Sequence, residues 1–79
     1  MLSSMKKDGH ELLLTVLAEN IKAFRLESQL SQEELADRAE LDRTYVSQLE
    51  RAKCNPSLLV LSKVADSLGV GVIDLLSQG

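Results

Sequence analysis

The chain has 79 residues and a mass of 8.7 kDa, which allows one small domain. Its hydrophobic fraction of 44% is too high for a disordered chain, and an aromatic fraction of 3% means that aliphatic side chains must form the core. The formal net charge of −3 argues against binding to nucleic acid or to a membrane surface through bulk positive charge. It does not exclude a nucleic-acid binder that uses a few placed basic groups.

The single cysteine, Cys54, cannot form an internal disulfide, and no Cys or His spacing suits a zinc ion. The sequence indicates no metal, no cofactor and no small-molecule ligand. Its apolar runs fall far short of a membrane span. These features predict a cytoplasmic protein with a reduced thiol and no membrane partner.

The hydrophobic pattern predicts helices and no strand. Residues 1–10 are predicted to be a flexible leader, and residues 11–79 to form one compact all-α domain of five helices. Apolar residues recur at helical spacing over residues 11–28, which predicts a first amphipathic helix.

Two short helices are predicted next. Ser31 and Glu34 fit a capping box at the start of a helix over residues 32–39. Asp42 suits the N-cap of a third helix that reaches Arg51. Helices of about two turns are not stable alone, so both must pack against the rest of the domain.

The short connection between these helices, with Leu41 at the corner, predicts a steep crossing. This is the helix-turn-helix geometry, in which the second helix projects from the domain and fits a DNA major groove. Ser57 is the predicted N-cap of a fourth helix that ends at Gly69, and residues 72–76 suit a short fifth helix.

Three stretches carry a family resemblance: residues 30–36 (LSQEELA), residues 41–51 (LDRTYVSQLER) and residues 55–58 (NPSL). Together they resemble the phage-repressor (Cro/C1, or XRE) helix-turn-helix family, whose fold is λ-repressor-like. The resemblance covers roughly residues 17–76 and is strongest to the controller proteins of restriction–modification systems.

The resemblance implies a sequence-specific transcriptional regulator that binds a pseudo-palindromic double-stranded DNA operator as a homodimer. It also makes RNA polymerase a candidate partner. A controller protein would bind its own promoter and that of the endonuclease gene, and would activate or repress according to dose.

Arg43, Thr44 and Gln48 are predicted to read DNA bases from the third helix, which exposes them once Val46 and Leu49 are assigned to the core. The Arg43 fork can bond guanine O6 and N7 together, and the Gln48 amide can bond adenine in the same way. Thr44 offers a hydroxyl and a methyl group. The resemblance implies the same roles, because these positions of the helix commonly read bases in the family. The alternative is an ordinary solvated helix face.

Five further residues are candidate contacts to the DNA backbone or its shape: Arg25, Gln32, Tyr45, Ser47 and Asn55. Gln32 starts the second helix, where the N–H groups favour a phosphate, and the resemblance implies that it bridges phosphate and recognition helix. The position of Asn55 often donates to phosphate in the family. Tyr45 is predicted to contact the DNA backbone or a flexible base step, or else to pack on the first helix. For Arg25 the alternative is a structural ion pair with Glu50.

The segment predicted to bind DNA is not basic. Residues 31–56 hold four basic and six acidic side chains, so non-specific affinity should be weak and specificity must come from a few contacts doubled in a dimer. Glu40 and Ala52 occupy positions where the family often has Gly. If either position requires a positive φ, a cost of about 1 kcal/mol is expected.

A two-fold interface is predicted from four apolar residues that add to a full inward-facing set on the last two helices: Leu59, Val60, Ile73 and Leu76. Such a dimer would place paired recognition helices about 34 Å apart, which matches half-sites one DNA turn apart. The alternative is scattered apolar residues on the surface.

A competing function is an antitoxin or protein-interaction module that uses the same fold to bind a partner. An enzyme is not expected, because His10 is isolated and Cys54 has no base nearby in the sequence.

Overall fold

A computed structural model describes residues 9–78, and this part of the chain forms five α-helices. They are α1 (Gly9–Glu27), α2 (Gln32–Ala39), α3 (Arg43–Glu50), α4 (Leu58–Leu68) and α5 (Val72–Leu76). The predicted all-α class and helix order are confirmed. Because α1 begins at Gly9, residues 9 and 10 of the predicted leader are helical. The rest of that leader, residues 1–8, lies outside the described residues.

Side-chain caps start α2, α3 and α4, as predicted. The Ser31 hydroxyl accepts from the Glu34 N–H at 2.9 Å, and the Glu34 carboxylate accepts from the Ser31 N–H at 2.8 Å. The hydrogen bond from the Ser31 backbone lowers the pKa of Glu34. The Asp42 carboxylate and the Ser57 hydroxyl each accept an N–H from the first turn of the helix that follows. These caps let short helices begin at fixed residues.

Helices α1 to α4 end alike, each followed by a residue with a left-handed backbone: Gln29 (φ 60°), Glu40 (58°), Ala52 (56°) and Gly69 (72°). The next residue in each case donates its N–H to a carbonyl five positions back, at 2.8–3.1 Å. Glu40 and Ala52, which stand where the family often has Gly, both take a positive φ, and Gln29 is a third non-glycine residue that does so. Only Gly69 adopts this conformation without the steric cost of a Cβ.

The core draws on every helix. Each helix contributes a side chain with no exposed surface: Ile21, Leu35, Val46, Val64 and Leu75. The short helices α2 and α3 depend on this shared core, since helices of eight residues are not stable alone. Burial of one face of α3 therefore fixes which of its side chains face outward. Within residues 9–78, no helix combines the length and apolar character that crossing a membrane requires.

Replacing Gln29 by Gly should raise the free energy of unfolding by up to about 1 kcal/mol, because Gly enters the left-handed region without a Cβ clash. Greater freedom in the unfolded chain offsets part of this gain. The reverse change, Gly69→Ala, should lower the free energy of unfolding by about 1 kcal/mol. An added Cβ at Gly69 would meet no atom within 4 Å, so no steric clash adds to the backbone strain there. Urea unfolding measures the free energy of unfolding of both variants. A Gly69→Ala variant with the same free energy of unfolding as the parent would contradict this account.

Candidate nucleic-acid interface

Helix α3 presents polar side chains away from its buried face. Val46 and Leu49 are 0% and 2% exposed, whereas Arg43 and Thr44 are exposed at the start of the helix. The Thr44 N–H donates to the Asp42 carboxylate at 3.0 Å, which fixes the first turn. Gln48 lies half-buried one turn further along. The structure thus places the three predicted base-reading residues on one helix whose opposite face is buried in the core.

A buried ion pair joins α3 to α1. The Arg25 guanidinium donates from Nε to Glu50 Oε2 at 2.6 Å and from Nη2 to Glu50 Oε1 at 3.0 Å. Its third nitrogen, Nη1, donates to the Leu30 carbonyl at 2.8 Å. The two charged side chains are 9% and 3% exposed. Arg25 therefore forms the structural ion pair that was the alternative to a phosphate contact, and the burial of its guanidinium favours that alternative.

Arg25 stays protonated in this ion pair. The hydrogen bonds to Glu50 raise the pKa of Arg25 above its ordinary, already high value, against the opposing effect of burial. Two charges in such surroundings require each other, because an unpaired buried charge costs several kcal/mol. The position of the last residue of α3 is consequently tied to that of α1.

Gln32 is linked to α3 through the same carboxylate. Its Nε2 donates to Glu50 Oε1 at 3.1 Å, from the first residue of α2. This places the Gln32 amide against the third helix, as the family resemblance implied. A primary amide carries two N–H groups, and the bond to Glu50 uses one of them. Ser47 is half-buried and Asn55 is exposed in the α3–α4 connection.

Tyr45 packs its ring against the buried core and is half-buried. Burial raises the pKa of Tyr45, and the neighbouring Cys54 thiol raises it further. This packing favours the structural alternative for the ring over a contact with DNA shape. Burial also raises the pKa of Cys54, so at neutral pH the group is a thiol and a weak nucleophile.

Acidic side chains of α2 border the start of α3. Glu33, Glu34 and Asp37 line a shallow surface depression together with Arg43. The local field is therefore not strongly positive. This agrees with the expectation that a few directed contacts, and not bulk charge, must provide affinity.

The four residues predicted at a two-fold interface divide into two pairs. Leu59 and Ile73 are 67% and 79% exposed, while Val60 and Leu76 are half-buried against the core. Leu12 and Leu13 of α1 are also exposed, and so is Leu58, which helical spacing predicts to lie on the apolar stripe of α4; as the first residue of that helix it is 76% exposed. Sequence reasoning missed Asn20, whose amide contacts the end of α5. A polar residue within the apolar pattern of α1 is the only signal of that role.

Removing one partner of the buried ion pair should be costly. We expect Glu50→Leu to lower the free energy of unfolding by about 3–5 kcal/mol, because it leaves the Arg25 charge buried and unpaired. The double variant Arg25→Met/Glu50→Leu should lose far less. Glu27→Gln, at an exposed glutamate of α1, should change stability by less than about 0.5 kcal/mol. Urea denaturation separates these cases, and equal losses in the single and double variants would rule out the buried charge as the cause.

Comparison with known proteins identifies the fold and the family. Residues 21–75 match the helix-turn-helix family model. A hypothetical transcription factor from Neisseria meningitidis serogroup B is 48% identical over 64 residues, which are 81% of this chain and 60% of the relative. The control protein C.SmaI from Serratia marcescens is 40% identical over 63 residues, which are 80% of this chain and 75% of that protein.

A solved structure has the same fold. The restriction–modification controller protein C.AhdI from Aeromonas hydrophila superposes with a TM-score of 0.76 at 35% identity, over 78% of this chain and 94% of that one. The matched residues include both α2 and α3, whose packing is that of a helix-turn-helix. The chain therefore belongs to the helix-turn-helix family.

Proposed function

We propose that the chain is a cytoplasmic, sequence-specific transcriptional regulator that binds a pseudo-palindromic double-stranded DNA operator as a homodimer. The observation that carries this proposal is the presentation of α3. Arg43 and Thr44 are exposed at its first turn, while Val46 and Leu49 are buried behind them. A helix held in this way can enter a major groove with its N-terminal side chains leading. No catalytic role is proposed for any side chain.

Arg43, Thr44 and Gln48 are the proposed base-reading residues. Arg43 suits guanine, since its fork matches the O6 and N7 acceptors, and Gln48 suits adenine. Thr44 can offer its methyl group to thymine or its hydroxyl to a base edge. The Asp42 cap supports these roles, because it fixes the first turn of α3, from which Arg43 and Thr44 project.

Gln32, Ser47 and Asn55 are the proposed contacts to phosphates. Gln32 is the first residue of α2, where the helix dipole also favours an anion, and its amide has a second N–H beyond the one that Glu50 accepts. Asn55 is exposed just after α3. We leave Arg25 out of this set because its guanidinium is used by Glu50 and Leu30.

The proposed dimer uses Leu59, Val60, Ile73 and Leu76 on α4 and α5. The two exposed members support it, because large apolar side chains left in water favour association with a second copy. A dimer would also compensate for the weak positive charge around α3, because two half-sites double the few contacts that each copy makes.

The regulated system is proposed to be a restriction–modification operon. This rests on the relatives, since C.SmaI and C.AhdI are control proteins by name. RNA polymerase is the proposed second partner at the promoter. Selection of bound oligonucleotides from a random pool would define the operator, and a methyltransferase and endonuclease in neighbouring genes would support the operon.

Arg43→Ala should weaken operator binding by about 1–3 kcal/mol and relax the preference at one base pair, because a bidentate base contact is lost. Gel-shift titration against the operator and its single-base variants measures both effects. Arg38→Ala removes an equal charge from the exposed face of α2 and should leave base preference unchanged. Full affinity and full preference in Arg43→Ala would contradict the base-reading role. A parent chain that selects no DNA would favour the protein-interaction module instead.

Ile73→Glu should convert the dimer to a monomer at micromolar concentration, because a charge replaces the most exposed apolar side chain of α5. Leu26→Glu is the matched control: Leu26 is 56% exposed on α1, outside the proposed interface, and its substitution should leave the dimer intact. Sedimentation velocity reports the mass of each species. Dissociation by both variants, or by neither, would count against this interface.

A further inference from the structure

Helix α5 is too short to hold itself in place. It has five residues, and its one fully buried side chain is Leu75, which is 0% exposed. At its start, the Gly71 N–H donates to the Asp74 carboxylate at 2.8 Å. A helix of this length has no run of internal hydrogen bonds to stabilise it, so its orientation depends on what it touches.

The C-terminal end of α5 is closed by a side chain from the middle of α1. Asn20 Nδ2 donates to the carbonyls of Leu75 and Ser77, both at 2.8 Å, and lies 3.4 Å from the Asp74 carbonyl. The Ser77 hydroxyl donates to the Ile73 carbonyl at 2.7 Å. The last carbonyls of a helix have no hydrogen-bond donors within the helix, and here the side chains of Asn20 and Ser77 donate to carbonyls of α5. Both N–H groups of the Asn20 amide are used by the two short contacts.

We infer that Asn20 is a positioning residue for dimerisation: by fastening the end of α5 to α1, it sets where Ile73 and Leu76 face. This inference rests on the proposed dimer. Leu75 is the one fully buried anchor of α5, and Val72 and Leu76 pack half-buried against the same core, so none of these apolar contacts holds the polar C-terminal end of the helix. Asn20 adds a second point of attachment, and two points fix the direction of the helix.

Because the proposed dimer is two-fold symmetric, the position of α5 affects the interface in both copies. In an isologous interface the same patch is used by both copies, so a displaced α5 in each protomer misaligns both halves of the contact. A small loosening within one copy is therefore multiplied in the dissociation constant of the dimer.

The chemistry of the contact requires a donor. Aspartate is nearly isosteric with asparagine, but its ionised carboxylate would offer only acceptors to the backbone carbonyls. Asn20→Asp should consequently be more disruptive than Asn20→Ala, although it preserves the volume of the side chain.

The test measures the dimer dissociation constant by sedimentation and the stability by urea unfolding, for the parent chain, Asn20→Asp and Asn20→Ala. The control is Ser31→Ala, which removes the cap of α2 and lowers stability without touching α5. Measurements are made where every variant is folded. We expect Asn20→Asp to raise the dissociation constant about tenfold or more, which corresponds to about 1.4 kcal/mol. Ser31→Ala should leave it within about twofold of the parent value at a comparable loss of stability.

The outcomes separate this inference from the proposal on which it rests. A monomeric parent chain would overturn the proposed dimer and the role of Asn20 together. A dimeric parent with an unchanged constant in both Asn20 variants would overturn the role of Asn20 alone. Equal weakening by Ser31→Ala would also overturn it, because general destabilisation would then explain the effect.

Discussion

The ion pair between Arg25 and Glu50 is the constraint on which the DNA-facing side of this domain depends. It joins the last residue of α3 to α1, and the same guanidinium holds the Leu30 carbonyl in the turn that leads to α2. Gln32 then attaches the first residue of α2 to the same carboxylate. One buried network therefore sets the relative positions of three helices. A salt bridge at the surface would not do this, because water would screen it and both side chains would move.

The turns that end α1, α2 and α3 also fix the positions of the helices, and they do so at a cost in backbone strain. The turns after α1, α2 and α3 place Gln29, Glu40 and Ala52 in the left-handed region, where glycine is the favoured residue. After α1 and α2 the conformation persists because the next residue packs, with Leu30 buried and Leu41 against the core, and after α3 the Lys53 N–H donates to the Gln48 carbonyl. Packing thus offsets local strain, and the short helices α2 and α3 keep the crossing that presents α3.

Affinity and assembly are connected in this domain. Basic groups do not dominate the surface around α3, where Glu33 and Asp37 border Arg43. The proposed operator binding must then draw on a small number of directed contacts, repeated by a second copy. That places weight on α5, a five-residue helix whose end is held by Asn20. The residues proposed to face DNA and those proposed to face a second copy share one core, and α1 contacts both sides through Arg25 and Asn20.

The helices, their caps and the family could all be predicted from the order of residues along the chain. Local patterns encode these features: Ser31 with Glu34, Asp42 and Ser57 each cap within three residues along the chain. Contacts between residues that are distant along the chain depend on the packed fold. It assigned Arg25 to Glu50, packed Tyr45 on the core and brought Asn20 to the carbonyls of α5, 55 residues away in the case of Leu75. Spacing along the chain carries no record of such contacts, because they form only when the shared core brings separate helices together.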